Sequence, residues 1–199
     1  GFDNFKGCYN GLEKVINCEQ WPQSDVEMIN ATITDYINSE KPFMTYYMTV
    51  SGHFYYNYSA NAMVKKNKAY VNDLDYPEEV KGYLATQIEL DKALELLINK
   101  LEEASKLDDT VIVLLADHYP YGLPLEYINI LSDYKRDSLI EANSNNLIIY
   151  NSKMKSEKID KVGMSIDVIP TVYNLFGIEY DSRLIMGKDK VHISLIHIS

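Results

Sequence analysis

Cysteine is scarce, with Cys8 and Cys18 the only two in 199 residues. Their spacing matches no zinc pattern, which excludes a structural metal site built on thiolates. A disulfide closing a short N-terminal loop in an oxidising compartment and a pair of buried free thiols both stay open. Positive charge is also short: 19 Lys and Arg face 29 Asp and Glu, a formal net charge of -10. Such a surface does not neutralise nucleic-acid phosphates or anionic headgroups in bulk, so any phosphate chemistry has to be local. No apolar run approaches the roughly 20 residues of a membrane span, and the first residues lack the basic, apolar and small-residue succession of a secretion signal. There is no initiator Met, and the chain closes on His192-Ile193-Ser194 recurring as His197-Ile198-Ser199. Both ends read as cuts, and the chain as a fragment.

What is present suits one core. At 46% hydrophobic and 24% charged content, one domain or one large piece of a domain is expected. Ser24 with Glu27 three residues on forms a capping-box signature, and Val26, Ile29, Ile33, Tyr36 and Ile37 follow at helical spacing. Pro42 breaks that pattern, and residues 43–50 are an aromatic and β-branched run that predicts a buried strand ending at Ser51-Gly52-His53. A long helix is predicted from Pro77 to Lys106, with Val80, Leu84, Ile88, Leu94, Leu97, Ile98 and Leu101 on one face. Residues 110–116, with the continuous run Val111 to Leu115, predict a central strand covered on both faces. A further strand is expected over 146–150, and a helix over 165–176 that Gly177 stops and that tolerates Pro170 only if it begins near Asp167. Long helices alternating with apolar strands predict an α/β sandwich with a mostly parallel sheet.

In such sheets ligands gather beyond the carboxyl ends of strands. His53 and the Asp117-His118 pair both stand where a predicted strand has just finished. A carboxylate beside an imidazole can bind a divalent transition metal, the carboxylate supplying charge and the imidazole selecting against Ca²⁺. Two ligands are not a site, and the same dipeptide also serves as a capping carboxylate beside a solvent-facing His. His53, turned outward by Gly52, can donate to a phosphoryl oxygen, ligate metal or simply pack. Asp167 fits a helix N-cap better than a carboxylate orienting a metal ligand. The 17 tyrosines suit a glycan or glycerol-polymer groove, while Tyr55, Tyr56 and Tyr58 equally well cover a loop.

Residues 45–54 (TYYMTVSGHF) resemble the strand that runs into Ser-Gly-His in lipoteichoic acid synthase-like proteins, of the alkaline phosphatase and sulfatase superfamily. Residues 110–119 (TVIVLLADHY) resemble that family's strand and Asp-His metal motif. Residues 165–178 are similar to the helix that follows the site, and Met186-Gly187-Lys188-Asp189 to its closing turn. The order and separations agree over about Gly1 to Asp189. The resemblance implies the C-terminal part of one sulfatase-like catalytic domain over residues 1–189, with 190–199 an off-pattern tail whose histidines are not read as a metal site.

By the same resemblance, a phosphoglycerol-type group moves from a lipid-linked donor to a cell-envelope polymer through a phospho-threonine. Mn²⁺ is the implied ion, with Mg²⁺ or Zn²⁺ as alternatives. Asp117 and His118 are then metal ligands, His53 a phosphate contact, and Trp21 part of the glycerol phosphate pocket. Where the family often carries Arg two positions after that Trp, this chain has Gln23, which puts the substrate headgroup in question. The family's nucleophilic Thr and a further acidic ligand lie upstream of the segment matching Gly1-Phe2-Asp3. No catalytic nucleophile is therefore expected here, and Thr45, Thr49 and Ser51 match no nucleophile motif. The parent protein is expected to be membrane-anchored through segments preceding this one, with this domain outside the cytoplasm and no nucleic-acid partner. A sulfatase or phosphoethanolamine transferase on the same scaffold, and a non-catalytic module that binds anionic glycan, are the alternatives.

Overall fold

Ser24 sets the start of the first helix, α1 (Asp25–Thr32): its Oγ accepts the Glu27 N–H at 3.1 Å, satisfying an end amide that has no partner within the helix. The capping box is half made, because the Glu27 carboxylate accepts the Asn17 N–H at 3.4 Å instead of turning back on Ser24. These positions come from a computed structural model, which describes residues 1–137 and 140–191. A 3₁₀ turn, Ile33–Asp35, extends α1, and Ile29, Ile33 and Ile37 are buried as their spacing predicts.

The described residues divide into two units. The first, residues 1–107 and 116–146, holds α1, α2 (Ala62–Lys66), α3 (Glu78–Glu103) and α4 (Leu125–Ile130). The helix α3 has Glu78 and Glu79 in its first turn, where they complement the helix dipole; in its last turn Lys100 does the same while Glu102 and Glu103 oppose it. Its buried stripe differs from the expected one. Val80 and Leu101 are buried as expected, but Gly82, Ala85, Thr86, Glu89 and Ala93 are the other buried positions, whereas Leu84, Ile88, Leu94, Leu97 and Ile98 are half-buried. Small and polar residues line this face because backbone comes close to it: a Cβ on Gly82 would stand 2.3 Å from the Tyr56 carbonyl oxygen. Among the described residues, apolar clusters of this unit include one on Tyr56, Leu123 and Ile128 and another on Val64, Val71 and Ala85. Cys8 and Cys18 form a disulfide, which settles the alternative the spacing leaves open.

The second unit, residues 108–115 and 147 onward, holds β1 (Ile112–Leu114), β2 (Ile148–Tyr150) and α5 (Val168–Leu175). The two strands are antiparallel, with Ile112 opposite Tyr150, Val113 opposite Ile149 and Leu114 opposite Ile148. This corrects the expected parallel sheet: among the described residues, the sheet has two strands and no parallel pair. Residues 43–50 join no ladder among the described residues, and β1 is half-buried on both faces. The physical reason is that hydropathy reports how apolar a run is and is silent on which segment will take its hydrogen bonds.

α5 begins where Pro170 requires, with the ring in the first turn, where its missing N–H leaves no gap. It ends in a Schellman motif: Gly177 has φ 62°, its N–H bonds the Asn174 carbonyl at 3.1 Å, and the Ile178 N–H bonds the Tyr173 carbonyl at 2.9 Å. Asp167 stands at the N-cap position of α5 but its side chain does not cap that helix; the carboxylate accepts the Met164 N–H at 2.8 Å, across the preceding 3₁₀ turn, the Lys188 N–H at 2.7 Å and the Lys190 ammonium at 3.2 Å. The Lys188 and Met164 amides, with Lys190 beside them, hold its carboxyl below the usual range. No helix among the described residues is long and apolar enough to cross a membrane. His192 and His197, in the off-pattern tail, lie outside the described residues.

Candidate functional site

Trp21, His53, Asp117 and His118 all lie in the first unit. Trp21 and His53 touch edge to face, with ring centroids 5.3 Å apart, and the Trp21 Nε1–H donates to the Phe54 carbonyl at 2.9 Å. The Phe54 ring packs against Tyr121 at 5.6 Å, and Tyr121 lies 4.6 Å from the His118 ring. Phe54 and Tyr121 thus bridge the two motifs, which are over sixty residues apart in sequence. Gly122 permits this approach, since a Cβ there would come within 2.8 Å of the Phe54 Cβ.

Both imidazoles are set alike. His53 Nδ1 is 3.2 Å from the Val50 carbonyl and His118 Nδ1 is 2.7 Å from the Tyr119 carbonyl. A carbonyl only accepts, so in the neutral ring Nδ1 carries the proton and Nε2 keeps its lone pair, the tautomer a metal or a phosphate proton can use. The Asp117 carboxylate bonds the His118 N–H at 2.9 Å, and its Oδ1 lies 3.6 Å from His118 Nε2. The side chains are 86% and 43% exposed respectively. Chemically the pair fits a divalent transition metal as two ligands of an incomplete set. No group of three or more His, Cys, Asp or Glu placed to hold a metal occurs among the described residues.

Two buried carboxylates escape the sequence reading. Asp25, the first residue of α1, is fully buried and accepts the Val50 N–H at 2.9 Å, the Ser51 N–H at 3.2 Å and the Ser51 hydroxyl at 2.5 Å. Burial pushes its carboxyl up, helped by the nearby Glu89 charge and opposed by those hydrogen bonds. Glu89, on α3, is equally buried and takes bonds from Ser24 Oγ, Lys66 Nζ at 2.8 Å and Asn67 Nδ2 at 3.2 Å. Burial raises its carboxyl too, but those donors prevail and hold it below the ordinary value. The one local signal was an Asp directly after a capping Ser; the partners lie 25 and 65 residues away.

Gln23 is not aimed outward: its side-chain amide donates to the Cys18 carbonyl at 3.2 Å and the Gln20 carbonyl at 3.0 Å. Ser51 is buried on Asp25. Of the tyrosines weighed for a groove, Tyr56 belongs to the core while Tyr55 is exposed.

The Sulfatase family profile matches residues 1–178. The chain belongs to the Sulfatase family. Among curated proteins, this sulfatase-family chain is 28% identical to the lipoteichoic acid synthase of Staphylococcus saprophyticus over 180 residues, 87% of this chain and 26% of that protein. It is 24% identical to the lipoteichoic acid synthase of Staphylococcus aureus strain USA300 over 196 residues, 90% of this chain and 29% of that protein. The chain therefore spans under a third of the length of these relatives. No solved structure matches it.

Proposed function

We propose that this chain is the metal-ligand-bearing C-terminal part, over residues 1–189, of a sulfatase-family phosphotransferase that works outside the cytoplasm on a membrane-anchored parent. The reaction moves a phosphoglycerol-type group from a lipid-linked donor to a cell-envelope polymer through a phospho-threonine whose Thr lies upstream. The observation that carries this reading is the bridge through Phe54 and Tyr121, which joins the Trp21–His53 pair to the Asp117–His118 pair within one unit. The likeness to lipoteichoic acid synthases over most of the chain and the Cys8–Cys18 disulfide, which suits an oxidising compartment, also support it.

Asp117 and His118 would hold the ion, Mn²⁺ first and Mg²⁺ or Zn²⁺ next. When bound, such an ion supplies charge neutralisation on the transferred group and a lowered pKa for the nucleophile. His53, with Nδ1 tied to Val50, offers the Nε2 lone pair to a phosphate hydroxyl when neutral, and an Nε2–H to a phosphate oxygen only as the imidazolium. Trp21 offers a flat apolar face for a glycerol backbone.

The test is to read the coding sequence ahead of Gly1, produce the chain with that extension, and titrate Mn²⁺. A Thr nucleophile, together with Mn²⁺ binding abolished by Asp117→Ala, supports the transferase; a Cys or Ser in a sulfatase signature overturns it in favour of hydrolysis. One observation favours a second reading, a binding module for anionic glycan: Gln23 spends its amide on local carbonyls and replaces no guanidinium. Metal binding indifferent to Asp117→Ala would decide for that module.

A further inference from the structure

We infer that Asp25 is a positioning residue: it fixes the turn that carries His53, and so sets the imidazole against Trp21 at the candidate phosphate contact. The inference rests on the substrate role proposed above for His53.

One short stretch of chain, Trp21 to Asp25, supplies both the ring that His53 touches and the carboxylate that holds its turn. The Asp25 side chain does not cap its own helix, a task Ser24 performs. It reaches instead to Val50 N, Ser51 N and Ser51 Oγ, the residues immediately before Gly52-His53. That turn is completed by the His53 N–H on the Val50 carbonyl at 3.1 Å, with His53 Nδ1 on the same oxygen. On the far side, the buried Asn61 donates to the His53 carbonyl at 2.9 Å and Trp21 to that of Phe54. The residues before His53 are thus held by Asp25 and those after it by Asn61 and Trp21. Since residues 43–50 enter the turn without a strand partner, the Asp25 carboxylate stands where a ladder would otherwise fix Val50 and Ser51. A side chain placed this way governs geometry, and a misplacement of about 1 Å at a reacting group costs on the order of 100-fold in rate.

Trp21 is the only tryptophan of the chain, so its emission reads the contact directly. At one fixed pH, wild type and His53→Ala should differ in Trp21 emission, because removing the imidazole opens the indole to water. Asp25→Asn keeps the shape of the side chain but can no longer accept from both backbone amides and the hydroxyl. It should move the emission most of the way to the His53→Ala value while circular dichroism still shows a folded chain, and Ser51→Ala should move it part of the way. Wild-type emission in Asp25→Asn overturns the inference; should that variant not fold, wild-type emission in Ser51→Ala does so.

The emission readout requires no turnover, which separates this inference from the phosphotransfer reading. In the upstream-extended protein, Asp25→Asn should lower transfer by about 10- to 100-fold and add nothing further in a His53→Ala background. Additive losses would show that Asp25 does not act through His53. Undiminished transfer in His53→Ala would instead remove the substrate role of His53, while the emission result still decides whether Asp25 places the ring.

Discussion

Lys66 Nζ lies 2.8 Å from Oε1 of Glu89, a carboxylate with no solvent exposure, while Lys66 keeps 43% of its own side-chain surface in water. The pair is asymmetric, so its two deletions differ. Removing Lys66 strands a buried charge; removing Glu89 strands only the Ser24 and Asn67 donors, since the ammonium returns to solvent. Lys66→Met should therefore cost about 3–5 kcal/mol and Glu89→Gln less, as measured by urea unfolding at pH 7.

The same carboxylate makes stability depend on pH. Its value in the folded chain lies below the ordinary 4.5, so its contribution is complete above that value and is lost as pH falls through the folded one. Asp25, raised from 3.8, acts with the opposite sign, binding its proton more tightly when folded and losing stability as pH rises through that adjacent window. The net acid profile mixes the two. The difference between wild type and Glu89→Gln isolates the first: wild type should fall more steeply on acidification below about pH 4.5, and parallel curves would refute the assignment.

How far these features were legible in the sequence depended on the range of the interaction behind them. The Ser24 cap, the place of Pro170 in the first turn and the Gly177 stop each rest on bonds within a few residues, and each stands as read. The partner of β1 and the fate of residues 43–50 rest on pairing across the chain, which an apolar run does not encode. His53, Asp117 and His118 stand out in the sequence because each follows a predicted strand, and Trp21 only through the family resemblance. Asp25 and Glu89 do not, because an acidic residue on a helix looks solvated until the donors facing it are known. Glu89 interrupts what would otherwise read as the apolar face of α3, and Ser24 and Lys66 are what keep it there.

Gly187 rests on backbone. A Cβ at that position would stand 1.9 Å from the Ile166 carbonyl oxygen and 2.9 Å from the Asp167 Cα, with no side chain able to give way. Gly187→Ala should displace the closing turn and break the Lys188 N–H to Asp167 bond. A destabilisation of about 1–3 kcal/mol is expected, with faster hydrogen exchange at the Lys188 amide as the specific readout; unchanged exchange there would count against the packing described.

The Cys8–Cys18 disulfide closes a loop of sequence separation 10. Cross-linking so short a loop restricts the unfolded chain by about 2–3 kcal/mol. That loop carries a single 3₁₀ turn, Leu12–Lys14, and Leu12 is its buried anchor. Reduction should thus lower the midpoint of thermal unfolding and expose residues 8–18 to proteolysis before α1 or α3. Cleavage appearing first within α3 would mean that the disulfide supports more than its own loop.

Asp117 offers the sharpest separation of function from fold. Its side chain is 86% exposed and meets the amide and ring of the next residue, so it buries little area and holds no distant donor among the described residues. Asp117→Asn should leave stability within about 0.5 kcal/mol of wild type. If the carboxylate is a ligand, the same change in the upstream-extended protein should weaken Mn²⁺ binding by at least about 10-fold, because a neutral amide brings no charge and a poorer donor to a dication. His118→Ala should behave likewise in metal binding but disturb more structure, since the ring leans on Tyr121 at 4.6 Å and through it on Phe54. A variant at position 117 that unfolds, or one that binds Mn²⁺ as well as the wild type does, would remove the carboxylate from the proposed metal centre.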